Sequence, residues 1–237
     1  MTTETTPRIR GISSMATRQV LAELGTVFEQ RSGSAVAIEA VGGVDAAQRV
    51  AAGEAFDVVV LASDAIDKLI AAGHLRAGSR VDLVRSSVAV AVRQGATQPD
   101  ISTEEALQRA VRAARRIGYS TGPSGTALIA LFERWGLGDE VRDRLTQARP
   151  GVPVGSLVAQ GEVELGFQQL SELIHVEGIT VLGVMPPELK FDTIFSAGVP
   201  VGLASGSPQA ERVRQLLDFM TSPDAEAAKR RQGMEPA

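Results

Sequence analysis

Three times before residue 74 the chain runs a short apolar stretch into a longer segment of helical period. Ile9-Arg-Gly-Ile-Ser13 leads into Thr17 to Ser32, Ala35 to Ala40 into Asp45 to Ala52, and Phe56-Asp-Val-Val-Val-Leu61 into Asp64 to Ala72. In the first of these helices Val20, Leu21, Leu24, Val27 and Phe28 share one face. Gly53 and Gly73 close the second and third, as residues free to take a left-handed conformation do at helix ends. Strands that alternate with helices return in the same direction, so this rhythm predicts a mainly parallel sheet. The unbroken apolar run before Leu61 fits a strand covered on both faces.

Beyond residue 80 the rhythm changes. Val81 to Val84 and Ser87 to Val92 read as neighbouring strands with no helix between them, a stretch able to carry the chain from one lobe into another. Helices are predicted over Thr103 to Arg116, Gly125 to Trp135, Asp139 to Ala148, Val154 to Gln160 and Pro208 to Met220, with short helical segments over Ser171 to His175 and from Ser222. Ile117 to Ser120, Val163 to Phe167, Ile179 to Val184, Thr193 to Phe195 and Val199 to Ala204 read as strands. With no repeat, low-complexity segment or long linker, two lobes would have to share crossing strands.

Composition narrows the chemistry. The 237 residues are 44% hydrophobic but only 4% aromatic, so the core is built from Ala, Val, Leu and Ile. The absence of cysteine excludes disulfides, thiolate nucleophiles and thiolate metal sites. Two histidines, His74 and His175, cannot make a histidine metal cluster, and no phosphate-loop lysine motif or dinucleotide fingerprint is present. The expectation is no metal and no organic cofactor. A net charge of −4 argues against a nucleic-acid surface. Arg109, Arg112, Arg115 and Arg116 are read as the solvated face of one helix. Met1 to Pro7 is a polar tail without a basic start or apolar stretch, so the chain is expected in the cytoplasm, or in the periplasm if a leader was removed, with no membrane insertion.

The turn Ile117-Gly-Tyr-Ser-Thr-Gly-Pro-Ser-Gly-Thr126 places hydroxyls and glycines where a helix begins. A helix start exposes N–H groups without intrahelical partners and carries roughly half a positive charge. Ser124, Gly125 and Thr126 therefore read as an anion cradle, or else Ser124 simply caps the helix and no ligand is needed.

Several strings, in this order and spacing, resemble the molybdate-binding type of solute-binding proteins, a periplasmic binding protein type II family that includes aconitate-isomerase-like members. They are Ile12-Ser-Ser-Met-Ala-Thr17, Gly53-Glu-Ala-Phe-Asp-Val-Val-Val60, Gly122-Pro-Ser-Gly-Thr126, Leu157-Val-Ala-Gln-Gly-Glu-Val-Glu-Leu-Gly166, and Pro186-Pro-Glu-Leu-Lys190 ahead of Ile194-Phe-Ser-Ala-Gly198. The resemblance covers nearly the whole chain. It implies two α/β lobes with mainly parallel sheets, joined by two crossing strands, with a ligand cleft between. Residues 8–83 plus 193–237 would form the first lobe and 84–192 the second. Carried over residue by residue, it implies ligand contacts from Ser13 and Ser14, from Gly42 and Gly43, from Ser124, Gly125 and Thr126, and from Gln168.

Two departures bear on the ligand. The loop after the second strand is Val41-Gly-Gly-Val-Asp45, without the serine such molybdate binders usually carry, and Gln168-Gln169 stands where they tend to offer a tyrosine. Amides both donate and accept, which suits an organic carboxylate better than a tetrahedral oxyanion. The reading that follows is a cofactor-independent isomerase of an unsaturated di- or tricarboxylate. The alternative is a non-catalytic protein that binds molybdate or another anion for sensing or for a transporter partner. Arg85 is either a carboxylate clamp or a surface arginine before a strand. Ser14, Asp64 and Arg85 are the weak catalytic candidates: Asp64, like Asp45, also reads as a helix N-cap, Ser14 is better as a donor than as a nucleophile, and Glu172 and His175 read as solvated helix residues.

Overall fold

The computed structural model describes residues 8–149, 151–189 and 191–237. The tail Met1 to Pro7 and Lys190 of the Pro186 string lie outside the described residues. The chain forms two compact units, one running to Arg85 and resuming over Ile194–Ala237, the other spanning Ser86–Thr193.

In the first unit β1 (Arg8–Ser14) passes through a 3-10 turn at Met15–Thr17 into α1 (Arg18–Ser32). Strand β2 (Ala35–Val41) leads into α2 (Gly43–Ala51), and β3 (Val58–Ala62) into α3 (Ser63–Ala71). Strand β1 lies between β2 and β3 and is parallel to both. The strands predicted on either side of Arg85 are one continuous strand, β4 (Val81–Arg93), because buried and exposed positions keep alternating through Val84-Arg-Ser86. The chain leaves the first unit inside this strand.

The second unit continues with α4 (Glu104–Ala113), β5 (Ile117–Tyr119), α5 (Pro123–Arg134) and α6 (Gly138–Val141). The helix predicted to run to Ala148 stops at Val141. After a 3-10 turn at Arg142–Arg144 the chain forms β6 (Leu145–Gln147), which supplies partners to the open edge of β5. Then come α7 (Val154–Gln160), β7 (Leu165–Gln169), α8 (Leu170–Leu173) and β8 (Ile179–Val184). Strand β5 lies between β6 and β7, parallel to both, while β7 and β8 run antiparallel to β4. Arg115 and Arg116 lie past the end of α4, so the arginines read as one helix face are not all on it.

Strand β9 (Asp192–Gly198) carries the chain back into the first unit, where it pairs antiparallel with β3. The strand predicted over Val199 to Ala204 is a turn, held by a single bridge between Leu75 and Pro200. Pro200 has no N–H to offer a ladder. Helices α9 (Pro208–Thr221) and α10 (Glu226–Arg231) follow, and β10 (Glu235–Pro236) ends the chain against Arg85 and Val84 of β4.

Each unit is layered by strand alternation. In the first, Ile9, Val58 and Val60 pack with Val20, Leu24, Phe28, Val213 and Leu216, whereas Ile12, Val59 and Leu61 pack with Ala46, Val50, Ile66 and Leu69. Helices thus cover both sheet faces, which is why β3 reads as continuously apolar. In the second, Val88, Val90, Ile117 and Phe167 face Leu107, Val111, Leu128 and Phe132. Among the described residues no helix is long and apolar enough to cross a membrane.

Candidate functional site

Parallel strands feeding helices bring their carboxyl ends and the following helix starts to one edge, where ligands of such sheets bind. In the first unit that edge holds Ser14, in register with Val41 at the end of β2. Ser13 and Ser14 separate cleanly. Ser13 Oγ reaches Glu39 O at 3.5 Å, whereas Ser14 Oγ is buried and has no hydrogen-bond partner among the described residues. Its own carbonyl accepts a bond from Thr17 Oγ1 at 3.1 Å, which fixes the turn into α1. Gly42 is the N-cap of α2 and Gly43 its first residue, with no side-chain cap. A Cβ at Gly43 would stand 3.7 Å from Ser14 Cβ, so the start of α2 lies against the unpartnered hydroxyl.

The expected caps are corrected by these positions. Asp45 is in the first turn of α2, not at its cap, because the helix begins two residues early at Gly43. Asp64 is likewise inside α3, whose N-cap is Ala62, and its exposed carboxylate pairs with Lys68 at 3.3 Å. Such a solvated pair has little to offer a proton transfer. Arg85 lies within β4, exposed and opposite Glu235 of β10.

In the second unit the turn after β5 gives a narrower cradle than the sequence suggests. Helix α5 starts at Pro123 with Gly122 as N-cap, so Ser124 is the second helical residue and not the cap. The N–H groups of Gly125 and Thr126 turn back onto Gly122 O at 3.0 and 3.2 Å. What remains is the Ser124 N–H and two hydroxyls, Ser120 Oγ and Ser124 Oγ, 3.0 Å apart. Ser124 and Gly125 are buried, and Thr126 is exposed.

Tyr119 of β5 is in register with Phe167 of β7. The next residues, Ser120 and Gln168, therefore emerge side by side, about 5 Å apart as neighbouring strands are. Gln168 is buried, and its Oε1 accepts the Val154 N–H at the start of α7 at 2.8 Å. Its Nε2 donates to Glu172 Oε1 at 2.8 Å. Glu172 is half-buried, not the solvated residue its position in sequence suggests. Burial pushes its carboxyl up to about 7, against the smaller opposing effect of the Gln168 hydrogen bond. A hydrophilic residue on a short helix gave no signal of this; only the packing of α8 on α7 and β7 does.

Gln169 faces the other way. Its Nε2 donates to Thr193 Oγ1 at 2.9 Å, and its buried Oε1 and the buried Ser86 Oγ have no partner among the described residues.

Helix-covered parallel strands in each unit, with hydroxyl-bearing turns at their carboxyl ends, are the arrangement in which open α/β sheets bind ligands. The family described as bacterial extracellular solute-binding protein matches residues 9–235, and the chain belongs to it. It is 41% identical over 191 residues to a protein of Pseudomonas sp. named aconitate isomerase, an alignment covering 79% of this chain and 70% of that one. Among solved structures it is similar to the periplasmic molybdate-binding protein of Azotobacter vinelandii. The TM-score is 0.77 at 21% identity, covering 97% of this chain and 99% of that one. It is also similar to the substrate-binding domain of a molybdenum ABC transporter protein from Clostridium difficile. There the TM-score is 0.75 at 13% identity, covering 98% and 100%. The fold is that of the type II periplasmic binding proteins.

Proposed function

We propose that this protein binds a small di- or tricarboxylate and, without a cofactor, shifts the double bond of an unsaturated member of that class; its relative from Pseudomonas sp. is named aconitate isomerase. The observation that carries this reading is the juxtaposition at the ends of β5 and β7. Hydroxyl groups at Ser120 and Ser124 share that edge with a buried amide and the desolvated carboxyl it holds. A tetrahedral oxyanion calls for donors alone and has no use for a proton-accepting group, whereas a conjugated carboxylate whose double bond shifts needs both. Gly42, Gly43 and Ser14 form a separate donor set in the first unit.

Likeness to molybdate binders supports a second reading, plain anion capture. A proton NMR time course in heavy water with cis-aconitate, trans-aconitate and unsaturated dicarboxylates separates the two. Deuterium uptake or a new isomer is the expected result. Carboxylates that stay unchanged while molybdate or sulfate raises the melting temperature would make anion capture the function.

A further inference from the structure

The isomerase reading leaves open which group moves the proton, and Asp64 has been set aside. Three observations within the second unit converge on another carboxyl. The first is anchoring. Because the Val154 N–H can only donate, it fixes Oε1 of Gln168, and Nε2 must then face Glu172. The Glu172 carboxyl is thereby held by one oxygen, from a residue itself pinned to the backbone.

The second observation is placement. Gln168 emerges beside Ser120 at the ends of two parallel neighbours, and Glu172 stands one helical turn further on, with its carboxyl brought back to Gln168. The donors that would receive developing negative charge and the carboxyl thus share one edge of one unit.

The third is electrostatic isolation. Helix α8 packs on α7 and β7, and neither of these carries a titratable side chain. Leu173 also packs against Ala89 and Ala91 of β4. There the nearest charge along the strand, Arg93, reaches toward Gly161 at the far end of α7. Strand β8 has no titratable group; His175 and Glu177 follow α8, and Tyr119 lies on β5. Burial and the Gln168 bond, with no ion pair among the described residues, set the state of Glu172. Structural carboxylates in this protein look different: Glu164, Glu211 and Asp82 each pair with an arginine that holds them below their ordinary values.

We propose that Glu172 is the catalytic proton carrier of the isomerisation and Gln168 its positioning residue. The proposal rests on the isomerase reading. As a carboxylate, Glu172 takes a proton from the carbon next to the double bond. The C–H bond breaks, an O–H bond forms on Glu172, and the electron pair spreads into the conjugated carboxylate, whose oxygens take hydrogen bonds from Ser120 and Ser124. The Glu172 O–H, its hydrogen partly exchanged with solvent, then gives a proton to the carbon at the other end of the three-carbon unit. The double bond moves by one position with no net oxidation and no water consumed. A carboxyl titrating near neutrality suits both halves of this exchange.

The test compares the intact protein with Glu172→Gln, Glu172→Asp and Gln168→Ala, using cis- and trans-aconitate in heavy water. Glu172→Gln should lower both isomerisation and deuterium uptake about 10²- to 10⁴-fold, with substrate affinity by calorimetry changed less than threefold and an intact melting transition. Glu172→Asp should keep a fraction of the rate together with its pH dependence, which guards against a folding artefact in the first variant. In the unmodified protein kcat/KM should rise with pH around 7, and Gln168→Ala should move that limb to higher pH by removing a bond that favours the carboxylate. If the unmodified protein isomerises aconitate and Glu172→Gln does so within threefold of it, Glu172 is not the proton carrier and the isomerase reading survives. If the unmodified protein neither isomerises nor exchanges any carboxylate, both fall together.

Discussion

A Cβ placed on Gly125 would stand 1.8 Å from the carbonyl oxygen of Ser120, with Tyr119 Cδ2 at 3.1 Å. The start of α5 is therefore packed directly on the backbone of the strand end it follows, and no side chain fits between them. This contact keeps Ser120 and Ser124 within hydrogen-bond reach of each other.

Gly125→Ala should accordingly force the turn open. The expected loss is about 1–3 kcal/mol of stability, the usual cost of overpacking, together with tenfold or greater loss of carboxylate affinity. Denaturant unfolding and calorimetry with trans-aconitate check this. A variant that binds normally would show that the close approach has no bearing on the ligand.

Ser14 presents the opposite balance of stability and function. Its hydroxyl is buried without a partner, which costs a protein about 1–3 kcal/mol relative to a satisfied group. Ser14→Ala should leave the melting temperature unchanged or raise it, while weakening carboxylate binding about tenfold. Ser13→Ala, whose hydroxyl already meets Glu39 O, should not reproduce that pair of effects. A drop in stability for Ser14→Ala with unaltered binding would count against the role given to this hydroxyl.

Glu172 links stability to pH. Its carboxyl stands at about 7 in the folded chain against an ordinary 4.5. Between roughly those values the folded state holds a proton that the unfolded state has released. Stability contributed here is present below pH 4.5, declines as pH rises through the window, and is lost above 7. Glu172→Gln cannot ionise, so it should match the unmodified protein near pH 4.5 and exceed it at pH 8 by roughly 1–3 kcal/mol, allowing for the partial exposure of the side chain. Urea titrations at the two pH values decide the matter. Parallel curves would mean that burial does not perturb this group.

How much of this was legible beforehand follows the range of the forces involved. The period of apolar residues in β1 to α3 and the glycines closing α2 and α3 announced those elements, because amphipathic helices and doubly covered strands write their packing into adjacent residues. Helix starts were less legible. Gly42, Ala62 and Gly122 hold the N-cap positions that Asp45, Asp64 and Ser124 seemed made for, since strand ends fix where each helix begins. Strands β6 and β10 were missed altogether, because the need that creates them belongs to the partner strand's open edge and not to Leu145-Thr-Gln147 or Glu235-Pro236 themselves.

The sequence by itself determined that this is a cysteine-free α/β protein with alternating strands and helices and hydroxyl-bearing turns at helix starts. Those properties depend on composition and on neighbours along the chain. Only the tertiary structure decided that Ser14 and not Ser13 keeps an unpartnered hydroxyl, that Ser120 joins Ser124, and that Glu172 is desolvated and held by Gln168. Each of these depends on strand register and on the packing of α8 against α7. Desolvation of a carboxyl is the summed effect of atoms remote in sequence, and no local pattern carries it.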